Sequence, residues 1–356
     1  MTRRELLLLV AAVACGTPQK PHRAPREDAG LDAPGVVLVD DWSADIRKGS
    51  QLRPSPLLVR GEQIVRAKED ELEFVDAMTL ARIGYVGEKY LSLGMLTDDT
   101  LLGFIKKGVG TCEIDVIKGT ALGRSLEAPD CVLMDGAHLL PASASELYIA
   151  RGNALVRYRI ADDHLREVGR IPLDEGTRDP ASGRDQLIPA GDGRVLAPKG
   201  KTVQIYEVGK PTLTYGGAAR SIAHLARGSG GRVWYSRRNP DGDIQDVVLA
   251  HLSEGLPADV SISVAPWRVI HMASAEAGAL AMLLFDEKHE TTPWTVVYLD
   301  DTGKERWRAA LDESLFKAVG INLNLSCVAV TAKRVVLAPP EHSLVAWDAA
   351  TGAPIR

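Results

Sequence analysis

The sequence predicts an all-β fold, a single β-propeller of seven blades with eight as the alternative, and three observations carry that prediction. Short β-rich runs recur at intervals of roughly 8–12 residues, separated by Gly, Asp, Pro and Asn turns. Helical periodicity is confined to the short stretch Asp312 to Val319. A strand-and-turn phrase also repeats: Glu73-Phe74-Val75-Asp76-Ala77-Met78-Thr79, then Tyr298-Leu299-Asp300-Asp301-Thr302-Gly303-Lys304-Glu305-Arg306-Trp307, then Leu344 to Gly352 through Trp347, Asp348 and Thr351. A unit that recurs with its turn means a repeat architecture.

Seven units can be written out: Pro56 to Gly87, Tyr90 to Ala128, Cys131 to Leu173, Asp185 to Gly217, Ala219 to Val264, Trp267 to Leu311 and Ile321 to Arg356. Each runs through an inner strand, a second strand, a third ending at a turn, and a short fourth. In the first unit these fall at Leu57-Leu58-Val59, Gln63 to Ala67, Leu72 to Asp76 and Ala81 to Val86. Asp76 and Asp348 occupy equivalent points and lie 272 residues apart. Six steps give about 45 residues per unit and seven give about 39, against the ~40–50 of propeller blades, so seven blades fit better. Eight require a merged unit in the long third or fifth. The last unit lacks a full fourth strand, and Gly35-Val36-Val37-Leu38-Val39-Asp40 precedes the first unit without partners. That early strand is expected to complete the last blade and close the ring, removing the sheet edges of an open array.

The chain therefore divides into a leader, 1–15, a tether, 16–34, and the propeller, 35–356. Arg3 and Arg4 begin the leader, Leu6 to Val13 form an apolar stretch too short to cross a bilayer, which takes roughly 20 residues, and Ala12-Val13-Ala14-Cys15 ends it. The arginine pair fits a general export signal or a twin-arginine one. Residues 16–34 hold prolines and charges with almost no large apolar side chain, so they cannot build a core. Formal net charge is -5 and the pI about 6.0, which excludes the basic stripe of a nucleic-acid or anionic-lipid surface. Beyond Cys15, the chain has Cys112, Cys131 and Cys327. At most one disulfide is possible if Cys15 is lipidated, with Cys112 and Cys131 the nearest pair; their alternating apolar neighbours favour buried free thiols over that bond.

Small residues before Cys15 resemble the lipobox of bacterial lipoproteins, which implies that the Cys15 thiol carries a diacylglycerol. Gly16 in place of an aspartate then implies the outer membrane. The turn phrases resemble the repeats of the pyrroloquinoline-quinone-type propeller, Ala-x-Asp-x-x-Thr-Gly-Lys-x-x-Trp. Ala346, Asp348, Thr351 and Gly352 match in the last unit, where Arg356 stands in place of tryptophan. Thr302, Gly303, Lys304 and Trp307 match in the sixth, where Leu299 occupies the aspartate position. Asp76 and Thr79 remain in the first. The resemblance implies structural roles: the Asp-Thr-Gly turn caps outer strands and the tryptophan docks between blades. Quinone-dependent dehydrogenases share the repeat but are longer, and this chain has no Cys-Cys pair. BamB-type outer-membrane lipoproteins share the lipobox, the tether and the length, and are binding platforms.

Residues that could carry chemistry are dispersed. The eight histidines stand singly, and no Cys/His cluster offers a zinc site. Asn239-Pro240-Asp241-Gly242-Asp243 lacks the ordered ligands of a calcium loop and reads as a hairpin turn. The acidic doublets Asp40-Asp41, Asp98-Asp99, Asp162-Asp163 and Asp300-Asp301 recur at turns, where aspartate bonds its own backbone. No nucleophile elbow or phosphate loop is present, so no catalytic, metal or cofactor residues are assigned. The expectation is a non-enzymatic, lipid-anchored envelope protein whose loop faces bind another protein. The alternative is an enzyme or small-ligand sensor with its site at the mouth of the central channel.

Overall fold

A computed structural model describes Val36–Val37 and residues 57–355, apart from 69, 109–110, 129–138, 152–153, 174–177, 180–183, 186, 192, 217–220, 239–243, 287–293, 312–325 and 340–342. All of these belong to one compact unit, Pro34–Arg356. Cys15, Cys131, the Asp40-Asp41 pair, the 239–243 turn and the 312–319 stretch lie outside the described residues.

Val36–Val37 form β1. Blade one is Leu57–Arg60 (β2), Gln63–Ala67 (β3), Leu72–Asp76 (β4) and Arg82–Val86 (β5). Blade two is Tyr90–Thr97 (β6), Thr100–Gly108 (β7), Thr111–Lys118 (β8) and Ala121–Glu127 (β9). Blade three is Leu139–Ser143 (β10), Glu146–Arg151 (β11), Ala154–Ile160 (β12) and Leu165–Pro172 (β13). A small hairpin of Arg178–Asp179 (β14) and Arg184–Asp185 (β15) follows. Blade four is Ile188–Gly191 (β16), Arg194–Lys199 (β17), Thr202–Tyr206 (β18) and Leu213–Gly216 (β19). Blade five is Ile222–Arg227 (β20), Arg232–Arg238 (β21), Ile244–His251 (β22) and Ala258–Ser263 (β23). Blade six is Arg268–Ser274 (β24), Leu280–Phe285 (β25), Trp294–Leu299 (β26) and Glu305–Leu311 (β27). Blade seven is Cys327–Val330 (β28), Arg334–Ala338 (β29), Val345–Asp348 (β30) and Pro354–Ile355 (β31). Within each blade the strands pair antiparallel in chain order. The inner strands adjoin in sequence around the ring, and β28 lies again beside β2.

The strand sequences follow from blade packing. A middle strand is covered on both faces by neighbouring blades, so β26 and β29 are buried at every position and read as unbroken apolar runs. Outer strands meet solvent, and β23 is exposed or half-buried throughout. The core is accordingly split into seven slabs, one at each junction. One slab joins Phe74 and Val86 of blade one to Leu93 and Ile117 of blade two, and another joins Leu283 and Val296 of blade six to Val335 and Trp347 of blade seven. A fully buried aliphatic side chain contributes roughly 1.5–3 kcal/mol, whereas a polar contact nets about 0.5–1.5 kcal/mol, so the slabs hold the ring.

Ring closure differs from the sequence expectation. β1 runs parallel to β27, with Val36 opposite Ala310 and Val37 opposite Leu311, and makes a fifth strand of blade six. Blade seven supplies its own fourth strand, β31, with Trp347 opposite Pro354 and Ala346 opposite Ile355. No strand is exchanged between the first and last blades among the described residues. They are joined by a slab containing Ile64, Val75, Ala329, Val336 and Ala346. The Thr331 hydroxyl donates to Glu62 at 2.6 Å, and Arg66 reaches the Pro339 carbonyl at 3.4 Å. Side-chain burial does at this seam what strand sharing was expected to do.

The cysteine reading is also corrected in part. Cys112 is buried and disulfide-bonded, with its partner outside the described residues. Alternating apolar neighbours bury a half-cystine as readily as a thiol, so the pattern could not separate them. Cys327 is buried and keeps its thiol.

Candidate functional site

Hairpins between first and second strands, and turns between third and fourth strands, open on the same face of the ring. The turns are held by aspartate. Asp76 Oδ1 accepts from the Met78 and Thr79 amides at 2.8 and 2.9 Å and from the Thr79 hydroxyl at 3.1 Å. Asp348 Oδ1 accepts from the Ala350 and Thr351 amides and the Thr351 hydroxyl at 2.9–3.1 Å, while its Oδ2 meets Arg334 at 2.7 Å. In blade six the capping residue is Asp300, which accepts from the Thr302 amide and hydroxyl and the Lys304 amide. The repeat pattern places Leu299 there. The blade-six turn is one residue shorter, closing from Asp300 to Lys304 where blade seven closes from Asp348 to Ala353, and this shifts the aspartate by one position.

These bonds hold the carboxylates below their ordinary range. The Thr79 amide is the main cause at Asp76 and the Thr351 amide at Asp348. At Asp300 burial pushes the other way, and the Thr302 hydroxyl with the Lys304 and Thr302 amides outweighs it. One oxygen of each carboxylate is thereby committed to backbone and hydroxyl partners within its own turn, while Oδ2 of Asp348 pairs with Arg334 and Oδ2 of Asp300 with Arg306.

The outer strands of blades one, two, three, five and six lean on the third-to-fourth turn of the next blade. Trp307 of β27 donates its Nε1 to the Ala349 carbonyl at 2.9 Å and packs against Trp347, ring centres 6.2 Å apart, with Tyr298 stacked behind it at 5.5 Å. Gly352 gives it room: a Cβ there would lie 2.7 Å from Trp307 Cγ. A Cβ on Gly303 would lie 2.9 Å from Val260 of blade five. Two earlier junctions reverse the roles, with glycine in the strand and bulk in the turn. A Cβ on Gly84 would meet Thr120 at 2.8 Å, and one on Gly169 would meet Val208 at 2.6 Å. At the second junction Arg124 Nη1 donates to the Asp162 carbonyl. A second set of contacts joins second strands to the next inner hairpin, through Trp234 Nε1 to the Gly278 carbonyl and the Tyr148 hydroxyl to the Gly193 carbonyl, both at 2.8 Å.

The inner strands bring two histidines to matching positions. His224 and His271 each follow a bulge, in β20 and β24. His224 Nδ1 lies 2.9 Å from the Ser236 hydroxyl, and His271 Nδ1 accepts the Val328 amide of blade seven at 3.1 Å. In blade two, buried Asp115 accepts from the Tyr90 and Ser125 hydroxyls at 2.8 and 2.6 Å. Burial, with the Asp115 hydrogen bond and charge, holds Tyr90 above the ordinary phenol range. Among the described residues no three His, Cys, Asp or Glu side chains converge as a metal site. The acidic doublets remain local: Asp99 accepts from the Thr97 and Thr100 hydroxyls, and Asp163 lies 2.7 Å from His164.

The opposite face carries the connections between second and third strands and between blades. Its described part includes an ion pair of Lys107 with Glu88 at 2.7 Å.

The chain is a seven-bladed β-propeller. Solved structures of the same fold include Hsv2 of Kluyveromyces lactis, at TM-score 0.58 and 10% identity, covering 83% of this chain and 93% of that one. A K. lactis Hsv2 whose loop 6CD is replaced by a Gly-Ser linker matches at TM-score 0.58 and 12% identity, and Hsv2 of Kluyveromyces marxianus at 0.57 and 9%, with the same coverage. Identity this low shows the fold alone. No protein-family model and no curated protein matches the chain. The pyrroloquinoline-quinone-type resemblance therefore rests on the turn residues themselves.

Proposed function

We propose that the chain is a non-enzymatic, lipid-anchored envelope protein whose propeller displays a surface for another protein. The observation that carries this reading is the seven-bladed ring, in which every junction is a packed slab and the third-to-fourth turns of blades one, six and seven are held by their aspartates on one face. The Asp-Thr-Gly turns support it, because their carboxylates serve the ring itself. Cys15, behind Ala12-Val13-Ala14 and before Gly16, supplies the anchor at the outer membrane, and the tether of 16–34 separates domain from lipid.

Co-purification from detergent-solubilised envelopes tests it, comparing wild type with Cys15→Ser. The proposal expects a defined partner to accompany the wild type and to be lost with the anchor. A small molecule or metal retained by the purified domain, with no protein partner, would replace the platform by a site at the channel mouth.

A further inference from the structure

Outer propeller strands are exposed sheet edges, and this chain guards nearly all of them. A bulge interrupts the outer strand of blades one, two, three, five and six, with Ile83 and Val168 standing at two of the bulged positions. Bulges twist an edge away from pairing. The same strands carry charge: Arg82; Arg124 and Glu127; Arg166, Glu167 and Arg170; Asp259; Glu305, Arg306 and Arg308. Blade six is also covered by β1, and the outer strand of blade seven has two residues.

Blade four has none of these guards among the described residues. β19, Leu213-Thr214-Tyr215-Gly216, pairs with β18 in unbroken register from Leu213 opposite Ile205 to Gly216 opposite Thr202. It contains no charged residue, and Leu213 is 51% exposed, exceeded among the described large apolar side chains by Tyr85 of β5, over whose ring Arg82 lies at 4.3 Å. The fold already shows an uncharged edge stretch in use: β27 is bulged and charged over Glu305–Arg308, but its uncharged end, Ala310–Leu311, accepts the uncharged pair Val36–Val37 as a fifth strand.

We infer that β19 is a strand acceptor, adding an extended, uncharged segment of another protein to blade four with an apolar residue beside Leu213. Main-chain hydrogen bonds would supply affinity, and the absence of charge on the edge selects a neutral occupant like β1. This inference rests on the platform reading and moves one contact from the loops to the rim.

The test places a photoreactive phenylalanine analogue in the full chain at position 213, and separately at bulged position 168 and loop position 89. Cells are irradiated and cross-linked peptides identified by mass spectrometry. The expected result is a cross-link from 213 to a neutral, apolar segment of another protein, absent from 168 and abolished by Thr214→Lys without a change in melting temperature. Cross-links from 89 alone would overturn the acceptor while leaving the platform. A cross-link from 213 to a second copy of this chain would overturn the proposed occupant. Silence at all three positions would overturn both readings.

Discussion

The indole of Trp307 lies where a side chain on Gly352 would have to go. Their fit joins blade six to blade seven, and Gly352 also has φ +73°, a left-handed conformation that suits glycine. Gly61 has a similar φ, +56°, but open space around its Cβ position. Gly61→Ala is therefore expected to lose about 1–2 kcal/mol from backbone strain alone. Gly352→Ala should lose about 1–3 kcal/mol more for displacing the indole. Urea unfolding of the two variants checks the difference.

The reversed junction offers a sharper comparison. Gly169→Ala should be destabilising because its new methyl meets Val208, and Val208→Ala should relieve that clash. A double-mutant cycle is expected to give a coupling of about 0.5–3 kcal/mol in the direction of rescue. Additive losses would mean that Gly169 and Val208 do not share the junction.

Two buried indoles should respond differently to replacement by phenylalanine. Trp234 Nε1 donates to the Gly278 carbonyl, so Trp234→Phe leaves that acceptor without its bond. Trp347 Nε1 is buried without a hydrogen-bond partner among the described residues, so Trp347→Phe removes a polar atom whose burial costs about 1–3 kcal/mol. The 347 variant is expected to be the less destabilised of the two in chemical unfolding.

Acid should weaken the seam between blades seven and one through Glu73. Burial raises this carboxyl, but Arg66 at 2.6 Å, aided by Lys68, outweighs it and holds the group below the ordinary glutamate range. The unfolded chain then binds the proton more readily, so this contribution is present above the unfolded pKa and is lost as pH falls through the lowered folded value. Glu73→Gln should flatten that part of the acid limb in urea titrations. At neutral pH it should cost about 3–5 kcal/mol, because buried Arg66 loses its carboxylate partner.

Blade boundaries were legible because middle strands, covered on both faces, write themselves as apolar runs such as Trp294 to Leu299. The junction code was legible only where its bulky member is an indole in the strand and its small member a glycine in the turn. Gly84 with Thr120, and Gly169 with Val208, use the same fit with the roles exchanged, so no shared motif marks them. Ring closure was misplaced because the short β1 strand pairs through its backbone, and nothing in Val36–Val37 distinguishes blade six from blade seven. The β14–β15 hairpin escaped notice because Arg178–Asp179 and Arg184–Asp185 contain no apolar alternation. The acceptor edge at β19 was not legible because an unbroken register is a property of strand pairing and leaves no mark in Leu213–Gly216 themselves.

The platform claim is tested most directly by hydrogen exchange on the protein as it leaves the envelope, set against the same protein stripped of whatever accompanies it. Stripping is expected to raise exchange in the loops and along Leu213–Gly216 while the inner strands stay as they were. Unchanged loops, with protection lost instead around His224 and His271, would contradict the platform and place a ligand in the central channel.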